Sequence, residues 1–377
     1  MPERVVLITG SSGNVGMYLS LFLARLGIAD IIYLGSSNIQ TASTVLYNAR
    51  CVALMGGFNV RVEHARCDLA VPEATADMLL RIKPTLIIHS AALLSLYPFF
   101  SALRRRQNRM NFVAGFAHTL PKDLALLWPL MVAVKDACPD TPVVNLAAPD
   151  TAHAILSKRN LSPTVGAGTI DSTAHGIRLA VANRINVDPL RVDVRLVCHH
   201  AIRRFSPDDV PFFLRIHLDR TDVTEKFDQK ELISEAVDVS GVETMTTPVS
   251  TNAPTTAASA AETARAMLLE SEMIRHGAGA QGIPGATPVR LSMRGAQIIL
   301  PDGIHMKEAL RMNEAGMRMT GVERIEEDGT VVFTDRECYW LREGMGLSWG
   351  KMPLEDARLM SGELEKAYNR LKKEETV

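Results

Sequence analysis

Val5-Val6-Leu7-Ile8-Thr9-Gly10-Ser11-Ser12-Gly13-Asn14-Val15-Gly16 is the stretch on which the reading of this chain turns. Residues 5–9 carry no charge and are mostly β-branched, the mark of a strand buried on both faces. Glycines then stand at 10, 13 and 16, where the strand gives way to an amphipathic run over 15–26. In such a turn the first glycine permits the tight bend, the second lets backbone approach a pyrophosphate, and the third allows the helix to pack close on the strand. The helix start meanwhile offers free N–H groups to the anion. Gly10, Ser12, Gly13, Asn14, Val15 and Gly16 are therefore the expected dinucleotide cradle. The strand before and the helix after set it apart from a plain strand-to-helix turn.

Outward from this turn, short apolar runs at 31–35, 60–63 and 85–89 alternate with helix-length runs at 45–55 and 74–82. That rhythm predicts parallel βαβ units and a doubly wound Rossmann sheet. Residues 90–120 interrupt it with Tyr97, Phe99, Phe100 and the basic run Arg104-Arg105-Arg106, read as a long loop with room for a short helix at the end of a sheet strand. A helix over 124–137, with Pro129 inside it, and a strand over 142–146 complete a first domain, 1–155. The second, 156–377, is expected to carry catalysis and assembly. It holds helices at 171–185, 258–276 and 354–373, strands at 191–197 and 288–300, and two extended runs around the turn Glu327-Asp328-Gly329. The polar stretch 241–257 reads as a loop across the cleft.

Composition narrows the partners. With 377 residues, 47% apolar content and a net charge of −1, the chain can bury two cores and has no long-range field to attract nucleic acid or an anionic membrane. A small-molecule substrate fits that balance. The five cysteines form no C-x-x-C pair, which argues against a disulfide framework and a zinc cluster and for a reducing cytoplasm. The start Met-Pro-Glu-Arg lacks signal-peptide features, and no apolar run reaches the roughly 18 residues of a bilayer span.

The strand at 31–35 normally ends on an acidic residue that bonds the adenosine ribose. Here it runs into Gly35-Ser36-Ser37-Asn38. Small hydroxyls in place of a carboxylate suit a 2′-phosphate, so NADP is favoured over NAD. NAD stays open, because no basic residue is evident beside these serines. Ser90 and Ala91, after the strand 85–89, are counted with the cofactor site.

Residues 143–202 read VVNLAAPDTAHAILSKRNLSPTVGAGTIDSTAHGIRLAVANRINVDPLRVDVRLVCHHAI. A strand ending near Asn145, an Asp in the following turn, Gly166-Ala167-Gly168-Thr169-Ile170-Asp171 opening a long helix, and a strand leading to a histidine together resemble the lactate and malate dehydrogenase family. The resemblance implies an α/β chain, a Rossmann domain followed by an α+β catalytic domain that assembles as a homodimer or homotetramer. It implies hydride transfer between a nicotinamide and an alcohol or carbonyl substrate, with His200 as the acid-base residue, His199 as its competitor, Asp171 holding the imidazole and Asn145 at the nicotinamide ribose.

Departures from the family bear on the substrate. The carboxylate-binding arginine expected three residues after Asp171 is replaced by Ala174, and the stretch Leu120-Pro121-Lys122-Asp123-Leu124 offers no mobile-loop arginine. Either the substrate is not a small 2-hydroxy acid and the segment 97–109 shapes a larger pocket, or carboxylate binding has moved to Arg106, Arg178 or Arg203. Thr255 and Thr256, opening the alanine-rich helix, line the pocket or cap the helix.

Other readings exist. Cys67-Asp68-Leu69-Ala70 and Ile87-Ile88-His89-Ser90-Ala91-Ala92 also resemble extended short-chain dehydrogenases and epimerases, but the only Tyr-x-x-x-Lys match, Tyr368 with Lys372, comes far too late and reads as a solvent-facing helix. Cys198, His199 and His200 also resemble the nicotinamide-dependent glycosidase branch of the same superfamily, in which a cysteine and histidines bind a divalent metal, but its companion Cys-His pair is replaced by Gly166-Ala167. A non-catalytic nucleotide-binding protein is the third alternative.

Overall fold

The computed structural model describes residues 3–37, 39–238 and 252–374. Strands β1 (Val5–Thr9), β2 (Ile31–Ser36), β3 (Arg61–Arg66), β4 (Leu86–His89), β5 (Val143–Asn145) and β6 (Val165–Gly166) are parallel and lie in the order β3-β2-β1-β4-β5-β6. This is the strand order of the Rossmann fold. The sixth parallel strand falls beyond residue 155, within the half that the sequence assigns to the second domain. Helices α1 (Asn14–Leu26), α2 (Ile39–Met55), α3 (Pro72–Ile82), α4 (Phe100–Arg109), α5 (Leu120–Ala137) and α6 (Pro149–Ser157) connect them. Alternate residues of β1 feed two cores. Val6 and Ile8 pack with Leu19, Leu23 and Ala49 on one face, and Leu7 packs with Leu79, Leu124 and Leu127 on the other.

After α7 (Thr169–Ile185) come β7 (Val192–Cys198), β8 (Phe212–Leu218), β9 (Thr221–Asp222), α8 (Gln229–Asp238), α9 (Ala253–Leu268), β10 (Ile274–Ala278), β11 (Ala286–Ser292) and β12 (Gly295–Ile298). β10 joins β6 antiparallel through Ala278 and Gly166, and the sheet continues β10-β11-β7-β8-β9, with β12 on β11. The chain closes with α10 (Met306–Met319), the small antiparallel sheet β13 (Val322–Ile325), β14 (Val331–Phe333) and β15 (Lys351–Met352), the short helix α11 (Asp335–Tyr339) before β15, and α12 (Ala357–Glu374).

Three expectations need correction. The segment read as a long loop with room for a short helix holds the ten-residue helix α4, whose buried positions are only the adjacent Ala102 and Leu103, so no periodic apolar signal gives its extent. The alanine-rich helix starts at Ala253 and stops at Leu268, and residues 274–276 belong to β10, held there by strand pairing with β11. Tyr368 is fully buried and stacks on Phe99 at 5.2 Å between ring centroids; it does not face solvent. Of the predicted loop 241–257, residues 241–251 lie outside the described residues, and α9 takes up the remainder from Ala253.

Candidate active site

The loop between β1 and α1 is drawn in tightly. The Gly10 and Ser11 N–H groups and the Ser11 hydroxyl all donate to the Gly35 carbonyl, at 3.1, 3.3 and 3.2 Å. Gly10 has φ +78°, and a Cβ there would lie 2.7 Å from the Ala91 nitrogen; a Cβ on Gly16 would lie 2.2 Å from the Gly10 carbonyl oxygen. Neither position tolerates a side chain. Ser12, Gly13 and Asn14 are exposed, Val15 is half-buried, and no side chain caps the start of the 13-residue helix. The first-turn N–H groups are thus left for an outside acceptor, and this donor set fits a dinucleotide pyrophosphate.

At the far end of β2, the Ser36 hydroxyl bonds His64 Nε2 at 2.9 Å, and Ser36 lies in register with Arg66 at the end of β3. Ser37 is exposed beside them. Two basic residues, His64 and Arg66, thus stand on the neighbouring strand, about thirty residues from the serines in sequence. Ser90 donates from both N–H and hydroxyl to the Thr9 carbonyl, at 3.0 and 2.9 Å, and so braces the cradle with Ala91. Asn145 is buried with its amide consumed locally. It donates to the Ala147 carbonyl and to His153 Nε2, at 2.9 and 3.2 Å, and accepts from the Ala147 N–H at 2.9 Å. It shapes the turn into α6, and both N–H donors of its amide are spent there.

That turn, with Ala148 at φ +45°, places Asp150 in the first turn of α6. His200, just after β7, meets it there. The His200 backbone N–H donates to Asp150 Oδ1 at 3.2 Å, and the ring Nδ1 stands 3.8 Å from Oδ2. His200 keeps 31% of its side chain accessible, whereas Asp150 keeps 7%. They open on a cavity of about 210 Å³ whose walls include Phe116, Leu120, Asp123, Thr151 and Thr320. Phe116 meets the His200 ring edge-on at 5.4 Å. His199 also reaches the wall, but it is buried, its Nδ1 accepts the Ala201 N–H at 3.1 Å and its Nε2 faces the Thr151 hydroxyl at 3.5 Å. Of the two histidines, His200 is the one open to a ligand.

Burial pushes the Asp150 carboxyl up to about 7, against the pull of the His200 N–H. It pushes the His200 imidazole down to about 4, assisted by the Arg203 charge, and His199 down to about 3. Between about pH 4 and about pH 7 the Asp150–His200 pair therefore holds one proton, and the carboxyl, not the imidazole, is its resting place.

Asp171 is elsewhere. Its carboxylate accepts from the Ser259 hydroxyl at 2.8 Å and the His276 N–H at 3.1 Å and is paired with Arg275; neither His199 nor His200 is among its partners. Burial alone would raise this carboxyl, but the His276 hydrogen bond and the Arg275 charge override it and hold the group well below the usual carboxylate range. The expected Asp171–His200 pair is replaced by Asp150–His200. The sequence reading noted an Asp in the turn after Asn145 without giving it a role, and nothing local marks it as the partner of a histidine fifty residues on.

The remaining candidates separate. Arg106 is paired with Glu374 on the outside of α4, and Arg178 lies midway along α7 with its Nε buried and unbonded. Arg203 shares the single turn of His200 and donates to Thr173 Oγ1 at 3.3 Å. Thr255 donates to the Asn252 carbonyl at 3.0 Å and lines a different cavity with Asp171, while Thr256 packs beside Gly168. Cys198 is buried, and burial raises its thiol far above the usual value. Among the described residues, no group of three or more His, Cys, Asp or Glu is placed to hold a metal ion, and no helix is long and apolar enough to cross a membrane.

Residues 5–110 match the KR domain family. By sequence, the chain has no match among curated proteins. Its structure is similar to malate dehydrogenase from Salinibacter ruber (TM-score 0.56, 17% identity, 84% of this chain and 95% of that one) and from Aeropyrum pernix (0.60, 16%, 84% and 96%). It is also similar to Cryptosporidium parvum lactate dehydrogenase complexed with lactic acid and nicotinamide adenine dinucleotide (0.58, 16%, 85% and 96%). The chain has the fold of malate and lactate dehydrogenases from end to end of those proteins.

Proposed function

We propose that this chain is a divergent relative of those dehydrogenases, an NAD(P)-dependent oxidoreductase that interconverts an alcohol with a ketone or aldehyde. The observation that carries the reading is His200, open to a cavity and backed by Asp150 in the turn that follows a parallel strand, in the same sheet whose β1 ends in the dinucleotide cradle. A bound nicotinamide would supply or accept the hydride. The protein's own part is the proton. His200 Nδ1 faces Asp150, which leaves Nε2 for the substrate oxygen. During reduction the neutral imidazole gives its Nε2 proton to that oxygen while Nδ1 takes up the proton held by the Asp150 carboxyl, and in oxidation both proton movements reverse. Ser36, Ser37 and Arg66 support NADP over NAD through the serine hydroxyls and the arginine's positive charge.

Titrating the protein with NADPH and with NADH, followed by quenching of tryptophan fluorescence, tests the reading. Micromolar binding is expected, tighter for NADPH. Gly13→Asp should abolish it, since Gly13 has room for a side chain that would put a negative charge at the helix start. His200→Asn should bind cofactor normally while carbonyl reduction falls by orders of magnitude. Cofactor binding that survives Gly13→Asp would place the dinucleotide away from this loop, and carbonyl reduction that is unchanged in His200→Asn would take proton transfer away from His200.

A further inference from the structure

The cavity at His200 has a neighbour. A second cavity, of about 180 Å³, shares the walls Phe116 and Thr119 with the first. Phe100, Leu103 and Phe112 give it flat apolar sides, and Tyr368 reaches it from α12. Tyr368 is fully buried, yet its hydroxyl has no hydrogen-bond partner. Arg204 also lines this cavity, its guanidinium 5.8 Å from the centre of the Phe116 ring. It donates to the Ala114 carbonyl and to Gln107, and among the described residues it has no carboxylate at ion-pairing distance. Two acidic groups act on this region and both are already engaged: Glu337 with His118 Nδ1 at 2.6 Å, and Asp123 with Lys122 at 2.5 Å.

A buried hydroxyl without an acceptor and a largely buried guanidinium without an anion are each costly. One ligand group answers both. Resting on the assignment of His200 to proton transfer, we propose that the substrate spans both cavities. Its carbonyl or carbinol carbon lies at His200, a flat apolar middle passes Phe116, and a carboxylate at the far end is received by Arg204 and the Tyr368 hydroxyl. The charge then sits at the opposite end of the molecule from the reacting carbon, which is consistent with Ala174 standing where a 2-hydroxy acid would need an arginine.

The probe is 4-acetylbenzoate, a methyl ketone and a carboxylate on opposite ends of a ring, compared by calorimetry with acetophenone and pyruvate in the presence of NADPH. The benzoate should bind at least tenfold tighter than either comparator. Arg204→Gln should weaken it by roughly 10- to 100-fold and leave acetophenone unchanged. Tyr368→Phe removes only an oxygen without a partner, so the fold is kept, and it should weaken the benzoate several-fold. Equal affinity for the benzoate and acetophenone, or indifference to both substitutions, overturns the proposal; if acetophenone is then still reduced in a His200-dependent way, the oxidoreductase reading stands without it. Arg204-dependent binding of the benzoate with no NADPH-dependent reduction overturns that reading and the placement of the carbonyl with it.

Discussion

Asp150 has only N–H donors and a distant imidazole around it, so burial raises its carboxyl to about 7, whereas Asp171 is buried just as deeply against Arg275 and is held low. The two aspartates therefore make opposite predictions. An unfolded aspartate titrates near 3.9. Between about 4 and 7 the folded state keeps the Asp150 proton that the unfolded chain has lost, so this group makes stability fall as pH rises, with the full penalty above about 7. Asp150→Asn should therefore gain stability over the wild type from pH 5 to pH 8, by on the order of 3 kcal/mol, while turnover drops because His200 loses its carboxylate. His199 and His200, depressed to about 3 and about 4, tilt the wild-type curve the other way below about pH 6.5. For that reason the difference between variant and wild type isolates the carboxyl. The contribution of Asp171 is complete above about pH 4 and lost below it. Asp171→Asn strands Arg275 and should cost roughly 3–5 kcal/mol at neutral pH, with the KM of whatever protein remains folded unchanged. Urea denaturation and steady-state kinetics on both variants check this. A loss of kcat at full stability in Asp171→Asn would return the imidazole-holding role to Asp171.

At the scale of elements, the strand-turn-helix unit of β1 and α1 was legible because each part has a local cause: an apolar strand buried on both faces, a glycine where φ is positive, and a glycine where helix meets strand. Gly16→Ala tests the last of these. The added methyl would sit 2.2 Å from the Gly10 carbonyl oxygen, so the helix must move off the strand. The expected result is a loss of about 1–3 kcal/mol in stability together with weakened dinucleotide binding, in contrast to Gly13→Asp, which should lose binding alone. Unchanged binding in Gly16→Ala would separate the cofactor site from this loop. Elsewhere local signals were absent or outweighed. α4 buries only two adjacent residues, and the helix-favouring composition after Leu268 is outweighed where Ile274–Ala278 pair with β11 and Arg275 docks on Asp171. The Asp150–His200 and Ser36–His64 pairs join residues fifty and twenty-eight apart, and only the assembled sheet brings them together.

In the whole molecule, α12 closes the structure far from where the chain began. Leu364, Ala367, Tyr368 and Leu371 are buried against Phe99, Leu103 and Trp340, and Met360 joins the core of α3 and α5. The terminal helix is thus a wall shared between the Rossmann layer and the cavity beyond Phe116, and the cost of loosening it should be regional. Leu364 has no exposed surface. Leu364→Ala should cost about 2–5 kcal/mol. Because Leu364 lies in the cluster with Phe99 and Trp340, while Val6, Ile8, Leu86 and Ile88 of β1 and β4 pack on α1 and α9 through a separate one, that loss is expected to surface first as faster hydrogen exchange over residues 97–119 and 357–374. Dinucleotide affinity should stay within a few-fold of wild type while binding of 4-acetylbenzoate weakens. If exchange instead accelerates equally across β1–β4, the sheet and the terminal helix unfold as one cooperative unit, and the distal cavity has no stability of its own to be tuned apart from the cofactor site.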